Sequence, residues 1–184
     1  RTMQIDLAPF TLIGATTRSG LLSNPLRDRF MAHLNFDYYP PETLVRIISN
    51  NASKMGISFE GGAKDEVARR SRGTPRIANR ILRRVRDFAL IKKKKVVGDP
   101  EVQGALNLMD IDELGLDTMD RKILSVIKEY YQGGPVGIDA LSATLGEDKQ
   151  TIEEVYEPFL LKQGLLLRTP RGRVLSEKAV KHIS

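Results

Sequence analysis

The sequence predicts a mostly α-helical chain with a small amount of β structure, divided into three parts. Residues 1–39 contain two short apolar runs that are typical of strands, and residues 40–110 contain four successive helical patterns. Residues 113–184 contain three helical patterns followed by two short apolar runs around a turn. We therefore expect the tail of an α/β unit, a four-helix module and a winged-helix domain.

In the first part, Phe10–Thr17 is short, apolar and rich in β-branched residues, which predicts a buried strand. Pro25 begins a short helix, and the alternation in Ala32–Phe36 predicts a second strand. Strands joined by so short a link form only the end of an α/β unit, because such a sheet needs further strands. We therefore expect Arg1 to be an artificial start and the chain to be a fragment of a longer protein.

The second part begins at Pro40–Pro41 and has apolar residues at helical spacing in four segments. These segments are residues 42–55, 63–71, 75–91 and about 99–109. Thr74 is a favourable N-cap and Pro75 suits the first helical position, so Arg76 is expected in the first turn of the third helix.

The net charge of +6 is concentrated in one segment. Residues 64–95 contain 13 Lys and Arg residues against three Asp and Glu residues. On the third helix an arginine stripe lies beside an apolar stripe. The arginine stripe is Arg76, Arg80, Arg83 and Arg84, and the apolar stripe is Ile77, Ile81, Val85 and Phe88. This pattern indicates a surface for phosphate on a nucleotide or nucleic acid, or for an acidic partner subunit, with a solvated basic face as the alternative.

The third part has the order of a winged helix. Thr118 is expected to cap its first helix, residues 138–145 form the second, and residues 150–163 form the third, kinked or divided at Pro158. Two short strands then flank the turn Arg168–Arg173, which contains three arginines.

The third helix of this domain is net acidic, with Lys149 against Glu153, Glu154 and Glu157. Phosphate would be repelled by that helix, so DNA binding is expected from the wing, whose phosphate contacts carry no sequence information. A wing used only for protein contact is the alternative.

Composition excludes several classes of protein. There is no cysteine, and the two histidines, His33 and His182, are far apart in sequence, which argues against a zinc site or a histidine-based triad. Neither Asp65–Glu66 nor Asp112–Glu113 has the context of a metal site. No apolar run approaches the ~20 residues of a membrane span, and we expect a cytoplasmic protein.

Individually, two further motifs are weak. Thr16 and Thr17 end the first predicted strand, where ligands of α/β proteins bind, but a plain strand-to-loop transition gives the same pattern. Arg27 and Arg29 in Arg-Asp-Arg usually form a surface ion-pair cluster.

The order of these motifs changes their interpretation. The chain resembles the RuvB family of bacterial Holliday-junction branch-migration motors, which are AAA+ ATPases, and the resemblance extends over nearly all 184 residues. It is carried by Phe10–Arg18, Pro25–Phe30, Arg72–Arg80, Met119–Lys122, Gly133–Gly137 and Arg168–Arg173. The three parts would then be the end of the large ATPase domain (1–39), the helical lid (40–110) and the winged-helix head (113–184).

The resemblance implies a role for each matching residue. Thr16 or Thr17 would be the sensor 1 hydroxyl, which positions the attacking water or the γ-phosphate. Arg29 would be the arginine finger for ATP bound in the neighbouring subunit, with Arg27 assisting or structural. Tyr39 would contact the nucleotide.

From the lid, Arg76 would be sensor 2 and would act on the nucleotide of its own subunit. Arg168 and Arg173, with Arg171, would contact DNA phosphates.

The intact protein would be a hexameric motor that uses ATP with Mg²⁺ and binds Holliday junctions and duplex DNA. A RuvA-like junction-recognition protein would bind it through the upstream part that this chain lacks. This chain departs from the family pattern because it contains no Gly-Lys pair, so the phosphate-binding loop is absent. We therefore expect no metal site here and no ATPase activity from the fragment alone. The alternative is a non-catalytic winged-helix regulator or adaptor, which would bind one DNA sequence.

Overall fold

The computed structural model describes residues 7–183 and divides the chain into two units, residues 1–37 and 38–184. The first unit contains a 3₁₀ turn, Ser19–Leu21, and one short helix, α1 (Asn24–Arg27), with Pro25 in its first turn. In its described part, residues 7–37, neither predicted strand is formed, and Phe10, Ile13 and Phe36 are exposed. The strand predictions are wrong for this unit, because a strand needs a hydrogen-bonded neighbour and residues 7–183 provide none for these segments.

Residues 40–110 form a helical module, as the spacing predicted. Its helices are α2 (Pro41–Lys54), α3 (Ala63–Arg70), α4 (Pro75–Ile91) and α5 (Asp99–Leu108). Two short strands, β1 (Ser58–Phe59) and β2 (Val96–Val97), pair in parallel with Ser58 opposite Val96. The sequence did not predict this pairing, because two-residue strands are too short to show a periodicity.

The core of this module lies between the apolar faces of the four helices. Leu44 and Ile48 of α2 belong to the same core cluster as Ile81 and Val85 of α4, and all four side chains are fully or almost fully buried. Burying a large aliphatic side chain contributes about 1.5–3 kcal/mol, so this interface holds α4 firmly in place. Arg80 and Arg83 of α4 are exposed, as the stripe pattern predicted.

Residues 113–183 form the winged-helix domain around a second core. Helices α6 (Thr118–Tyr131) and α7 (Ile138–Leu145) precede a third helix in three segments: α8 (Lys149–Thr151), a π-helical segment (Ile152–Tyr156) and α9 (Glu157–Lys162). The antiparallel wing strands β3 (Leu166–Thr169) and β4 (Gly172–Leu175) follow, and α10 (Glu177–His182), which the sequence analysis did not predict, ends the described chain.

Two local predictions can be compared with this domain. The N-cap of α6 is Asp117 and not Thr118: the Asp117 carboxylate accepts the backbone N–H groups of Met119 (3.0 Å) and Asp120 (3.1 Å). Pro158 divides the third helix as expected, since a proline has no N–H to donate and its ring displaces the carbonyl one turn earlier. The π-helical segment directly before α9 accommodates this disruption.

The mostly helical fold class with few strands is therefore confirmed. Among the described residues, no helix is both long enough and apolar enough to cross a membrane.

Candidate nucleotide and nucleic-acid interfaces

The candidate sensor 1 and finger residues all lie in the first unit and are exposed. The Thr16 hydroxyl accepts a hydrogen bond from the backbone N–H of Arg18 at 2.9 Å. Arg27 ends α1, and the backbone N–H of Arg29 is bonded to the carbonyl of Leu26 at 3.3 Å. Within residues 7–183 neither arginine forms an ion pair, so both guanidinium groups are available to an external anion.

Arg76 occupies the first turn of α4, as predicted from the Thr74–Pro75 signal. Thr74 has the extended backbone of an N-cap, although its hydroxyl bonds to the carbonyl of Ser71 and not to the helix. The Arg76 side chain is exposed, and in the part of the chain that is described it has no carboxylate partner. A cation at this position is therefore held by rigid backbone and left free for a ligand.

Tyr39 lies next to the loop that precedes Arg76. Its backbone N–H donates to the carbonyl of Gly73 at 2.8 Å, and its side chain is partly exposed. Gly73 has a positive φ of 76°, and a Cβ there would lie 2.7 Å from Cβ of Tyr38, so only glycine fits without a shift. The structure thus brings Tyr39 and the Arg76 loop together, which sequence spacing could not show.

The three arginines of the wing have different surroundings. Arg171, in the turn between β3 and β4, is exposed and makes no ion pair within residues 7–183. Arg168 on β3 is half exposed but is bound to Glu157 (2.8 Å) and Glu153 (3.1 Å). Arg173 on β4 has a side chain only 9% exposed.

Arg173 is enclosed by the acidic helix. Its Nε donates to Glu157, and its Nη2 lies 2.7 Å from Glu153. Burial opposes the charge, but the hydrogen bonds that Arg173 donates to Glu157 and Glu153 outweigh it and raise the pKa of Arg173 above its ordinary value. Arg173 also exchanges two backbone hydrogen bonds with Val136, at 2.8 and 2.9 Å.

This cluster accounts for two of the three glutamates in the third helix of the winged-helix domain. Glu153 and Glu157 are four residues apart, so they share one face of the helix, and that face receives the wing. In the sequence, the acidic helix and the basic wing look like independent features. The i, i+4 spacing of the glutamates was the signal that could have joined them.

A second cluster was also missed. Arg72, between α3 and α4, is buried and ion-paired with Asp120 and with Asp117 (3.0 Å) at the start of α6. Both residues lie in segments that carry the family resemblance, but their sequence context indicates no role for Arg72 or Asp120. No sequence signal links two residues 48 positions apart, and only the packing of the lid against the winged helix does so.

No metal centre is formed by the described residues, since none of them make a group of three or more His, Asp or Glu side chains that could hold an ion. The Asp112 carboxylate is instead used in hydrogen bonds within the fold. It accepts from His182 at 2.8 Å and from the backbone N–H groups of Leu114 and Leu116. Within residues 7–183 the carboxylates therefore form no group with the ligands that Mg²⁺ needs.

Comparison with known families identifies all three parts of the chain. Residues 1–36 match the Holliday junction DNA helicase RuvB P-loop domain, residues 39–112 the RuvB AAA lid domain and residues 113–184 the RuvB C-terminal winged helix domain.

Curated relatives match over the whole chain. It is 53% identical over 184 residues to the Holliday junction branch migration complex subunit RuvB of Oleidesulfovibrio alaskensis, of which it covers 57%, and 52% identical over 183 residues to that of Gluconobacter oxydans, of which it covers 52%. The chain thus spans about half the length of the curated relatives it matches.

Solved structures agree with this relationship. The Thermotoga maritima RuvB Holliday junction branch migration motor has a TM-score of 0.91 and 52% sequence identity, with 95% of this chain and 59% of that chain covered. A lysine-to-arginine mutant of the same protein has a TM-score of 0.93 and 51% identity, covering 99% of this chain and 61% of that one. Together with the three matching domains, these relationships show that the chain belongs to the RuvB family.

Proposed function

We propose that this chain is the C-terminal portion of an ATP-driven DNA motor that moves the branch point of Holliday junctions. The identity of about 50% with RuvB proteins along the whole chain is the observation that carries this proposal. The intact protein would act as a ring of six copies on duplex DNA beside a RuvA-like junction-recognition partner, and it would work in the cytoplasm. Strands from the remaining length of such a protein would cover the apolar side chains exposed in residues 7–36.

In this motor the chain supplies cations to the triphosphate, and the phosphate-binding loop and the Mg²⁺ ligands belong to the rest of the protein. Arg29 would reach ATP bound by the neighbouring subunit, with Arg27 beside it, and Thr16 or Thr17 would orient the attacking water. Arg76 would contact the nucleotide of its own subunit, near Tyr39. The absence of ion-pair partners for Arg29 and Arg76 within residues 7–183 supports these roles, since a guanidinium already bound to a carboxylate is a poor phosphate ligand.

The finger is tested with Arg29→Ala in the full-length protein. Charge develops on the phosphoryl oxygens in the transition state, so we expect the ATPase kcat to fall by about 10³-fold or more while nucleotide affinity changes little. Arg46→Ala, which removes an exposed lid arginine that has no role here, is the matched control and should retain the wild-type rate.

A finger acting between subunits has a further consequence. Mixing Arg29→Ala subunits with subunits that keep Arg29 but cannot bind ATP should restore hydrolysis in the mixed ring. Retained turnover in the variant, or no recovery on mixing, would remove Arg29 from this role. The 184-residue chain alone should show no ATPase activity.

Contact with DNA is proposed to come from the wing, with Arg171 touching a phosphate directly and Arg168 adding a second, partly neutralised charge. The buried Arg173 would hold the wing in place. Binding should be independent of sequence and fall steeply with salt, because released counterions drive it. Arg171→Ala should weaken binding equally for unrelated duplexes and reduce the slope of log K against log[salt] by about 1. A loss confined to one duplex sequence would favour the DNA-binding regulator instead.

A further inference from the structure

Arg72 lies at the junction of the lid and the winged-helix domain, in an uncommon backbone conformation. Its φ is 54°, in the left-handed region that non-glycine residues seldom adopt, and Gly73 follows with a φ of 76°. Such a conformation is strained for a residue with a Cβ and persists only where the surroundings impose it. The two residues turn the Arg72 side chain out of the lid, and it is only 9% exposed.

Among residues 7–183, the contacts of the guanidinium group are with the winged-helix side of the boundary. Its Nε donates to the carbonyl of Gly115 at 2.9 Å, and its Nη2 is bound to the carboxylates of Asp117 (3.0 Å) and Asp120. Its Cζ lies 4.6 Å from the centre of the Phe159 ring on α9. Asp117 is the N-cap of α6, so Arg72 is bound to the N-terminus of that helix, and it also packs on Phe159 of α9.

Asp120 makes this attachment specific. Its side chain is completely buried, its Oδ2 also accepts the backbone N–H of Asp117 at 3.0 Å, and its Oδ1 has no hydrogen-bond partner in the described structure. A buried carboxylate needs a counter-charge with good geometry. The planar fork of an arginine supplies it, and a lysine cannot stack on Phe159 and bond in the plane at the same time.

The same loop is held from its other side by the segment that enters the lid. Gly73 accepts the backbone N–H of Tyr39, and the ring of Tyr38 packs against Gly73. Nζ of Lys162, at the end of α9, lies 3.8 Å from the centre of the Tyr38 ring. Helix α9 therefore contacts this region twice, through Phe159 and through Lys162.

We infer that Arg72 is a positioning residue that joins the Arg76 loop to the winged-helix domain, so that a change in the nucleotide contacts of Arg76 moves the DNA-binding wing. Arg76 follows Arg72 by four residues, and α9 carries Glu157, which holds the wing arginines. This inference rests on the proposed function. It adds that coupling between the two ligands depends on one buried ion-pair cluster.

The measurement is the thermodynamic coupling between nucleotide and DNA in the full-length protein. Duplex DNA affinity is measured with the protein saturated with a non-hydrolysable ATP analogue and again with the protein saturated with ADP. The ratio of the two affinities is the coupling factor, and by thermodynamic linkage DNA changes the relative affinity for the two nucleotides by the same factor. Couplings of this kind are typically about 5–150-fold. Arg72→Met keeps the apolar stem and removes the guanidinium, so it should bring the factor close to 1 while DNA affinity in the ADP state stays within about twofold.

Arg121→Met is the matched control, because Arg121 also joins the winged helix to the lid. Its Nη2 lies 2.6 Å from Asp110, and its Nη1 donates to the carbonyl of Asp110 at 3.0 Å, but it makes no contact with the Arg72–Arg76 loop among the contacts of the described chain. If Arg72 had only a structural role, both variants would be less stable to heat than the wild type, and both would keep the wild-type coupling factor.

The possible results are distinct. Loss of coupling in Arg72→Met with retention in Arg121→Met supports the inference, and retention in both overturns it. If Arg72→Met does not fold, Arg72→Lys decides: a reduced factor supports the inference and an unchanged one overturns it. A wild-type protein that does not drive branch migration with ATP would refute the proposed function, and the inference with it.

Discussion

Replacing Arg173 tests whether this arginine serves the wing or the DNA. Its guanidinium lies between Glu157, whose side chain is 1% exposed, and Glu153. Arg173→Met would leave Glu157 buried with Arg168 as its remaining cation. Breaking a buried pair by removing one partner costs about 3–5 kcal/mol when no counter-charge remains, and Arg168 offsets part of that cost here. For a domain of this size 1 kcal/mol corresponds to about 4–8 °C, so a loss of about 1–3 kcal/mol should lower the melting temperature by at least about 4 °C.

The assay is thermal and urea unfolding of the 184-residue chain, followed by far-UV circular dichroism. Arg171→Ala is the control, because it removes an arginine of the same hairpin that has no buried partner. Its melting temperature should be unchanged. In the double variant Arg173→Met with Glu157→Gln the buried charge that lost one of its two arginine partners is gone, so part of the lost stability should return.

DNA affinity separates the two roles further. Arg173→Met should bind duplex normally well below its melting temperature, whereas Arg171→Ala should bind weakly at every temperature. If Arg173→Met melted like the wild type and lost DNA binding, Arg173 would be a direct phosphate ligand and its structural role in the wing would be refuted.

Two further predictions concern stability. Burial, which outweighs the attraction of Arg72, raises the pKa of Asp120 from 3.8 to about 6, so the native state retains its proton to a higher pH than the unfolded state. The free energy of unfolding of the wild type minus that of Asp120→Asn should therefore fall by up to ~3 kcal/mol as pH rises from about 4 to 6. Urea unfolding of both proteins at pH 4 and pH 7 measures this difference, and an increase with pH would contradict the prediction. In α5 a Cβ on Gly104 would collide with the ring of Phe88, so Gly104→Ala should destabilise the lid by about 1–3 kcal/mol, although alanine favours a helix. Gln103→Ala, at an exposed neighbouring position, should not destabilise it, and a stabilised Gly104→Ala would show that Phe88 moves freely.

Much of the helical fold could be predicted from the sequence. The apolar spacing of α2 and α4, the Thr74–Pro75 start of α4 and the division of the last long helix at Pro158 are local properties, and the structure confirms them. The strand over Phe10–Thr17 was predicted wrongly for this unit, because an apolar β-branched run shows what a segment favours and not whether a neighbouring strand is present.

The candidate sites divide in the same way. The presence of exposed cations at Arg29, Arg76 and Arg171 followed from the sequence, and their roles in the nucleotide and DNA sites remain predictions. The sequence also contained three arginines in one turn, but nothing in their spacing distinguished Arg171 from the buried Arg173.

The sequence by itself determined most of the helices, the basic segment and the family, because each depends on residue types at short spacings or on motif order. Only the tertiary structure decided which charges are free and which are bound. Arg72 reaches Asp120 and Arg173 reaches Glu157 because distant segments pack together, and burial then strengthens the ion pairs they form. The formal charge of a side chain is a property of its residue type, whereas its partner and its access to water are properties of the fold.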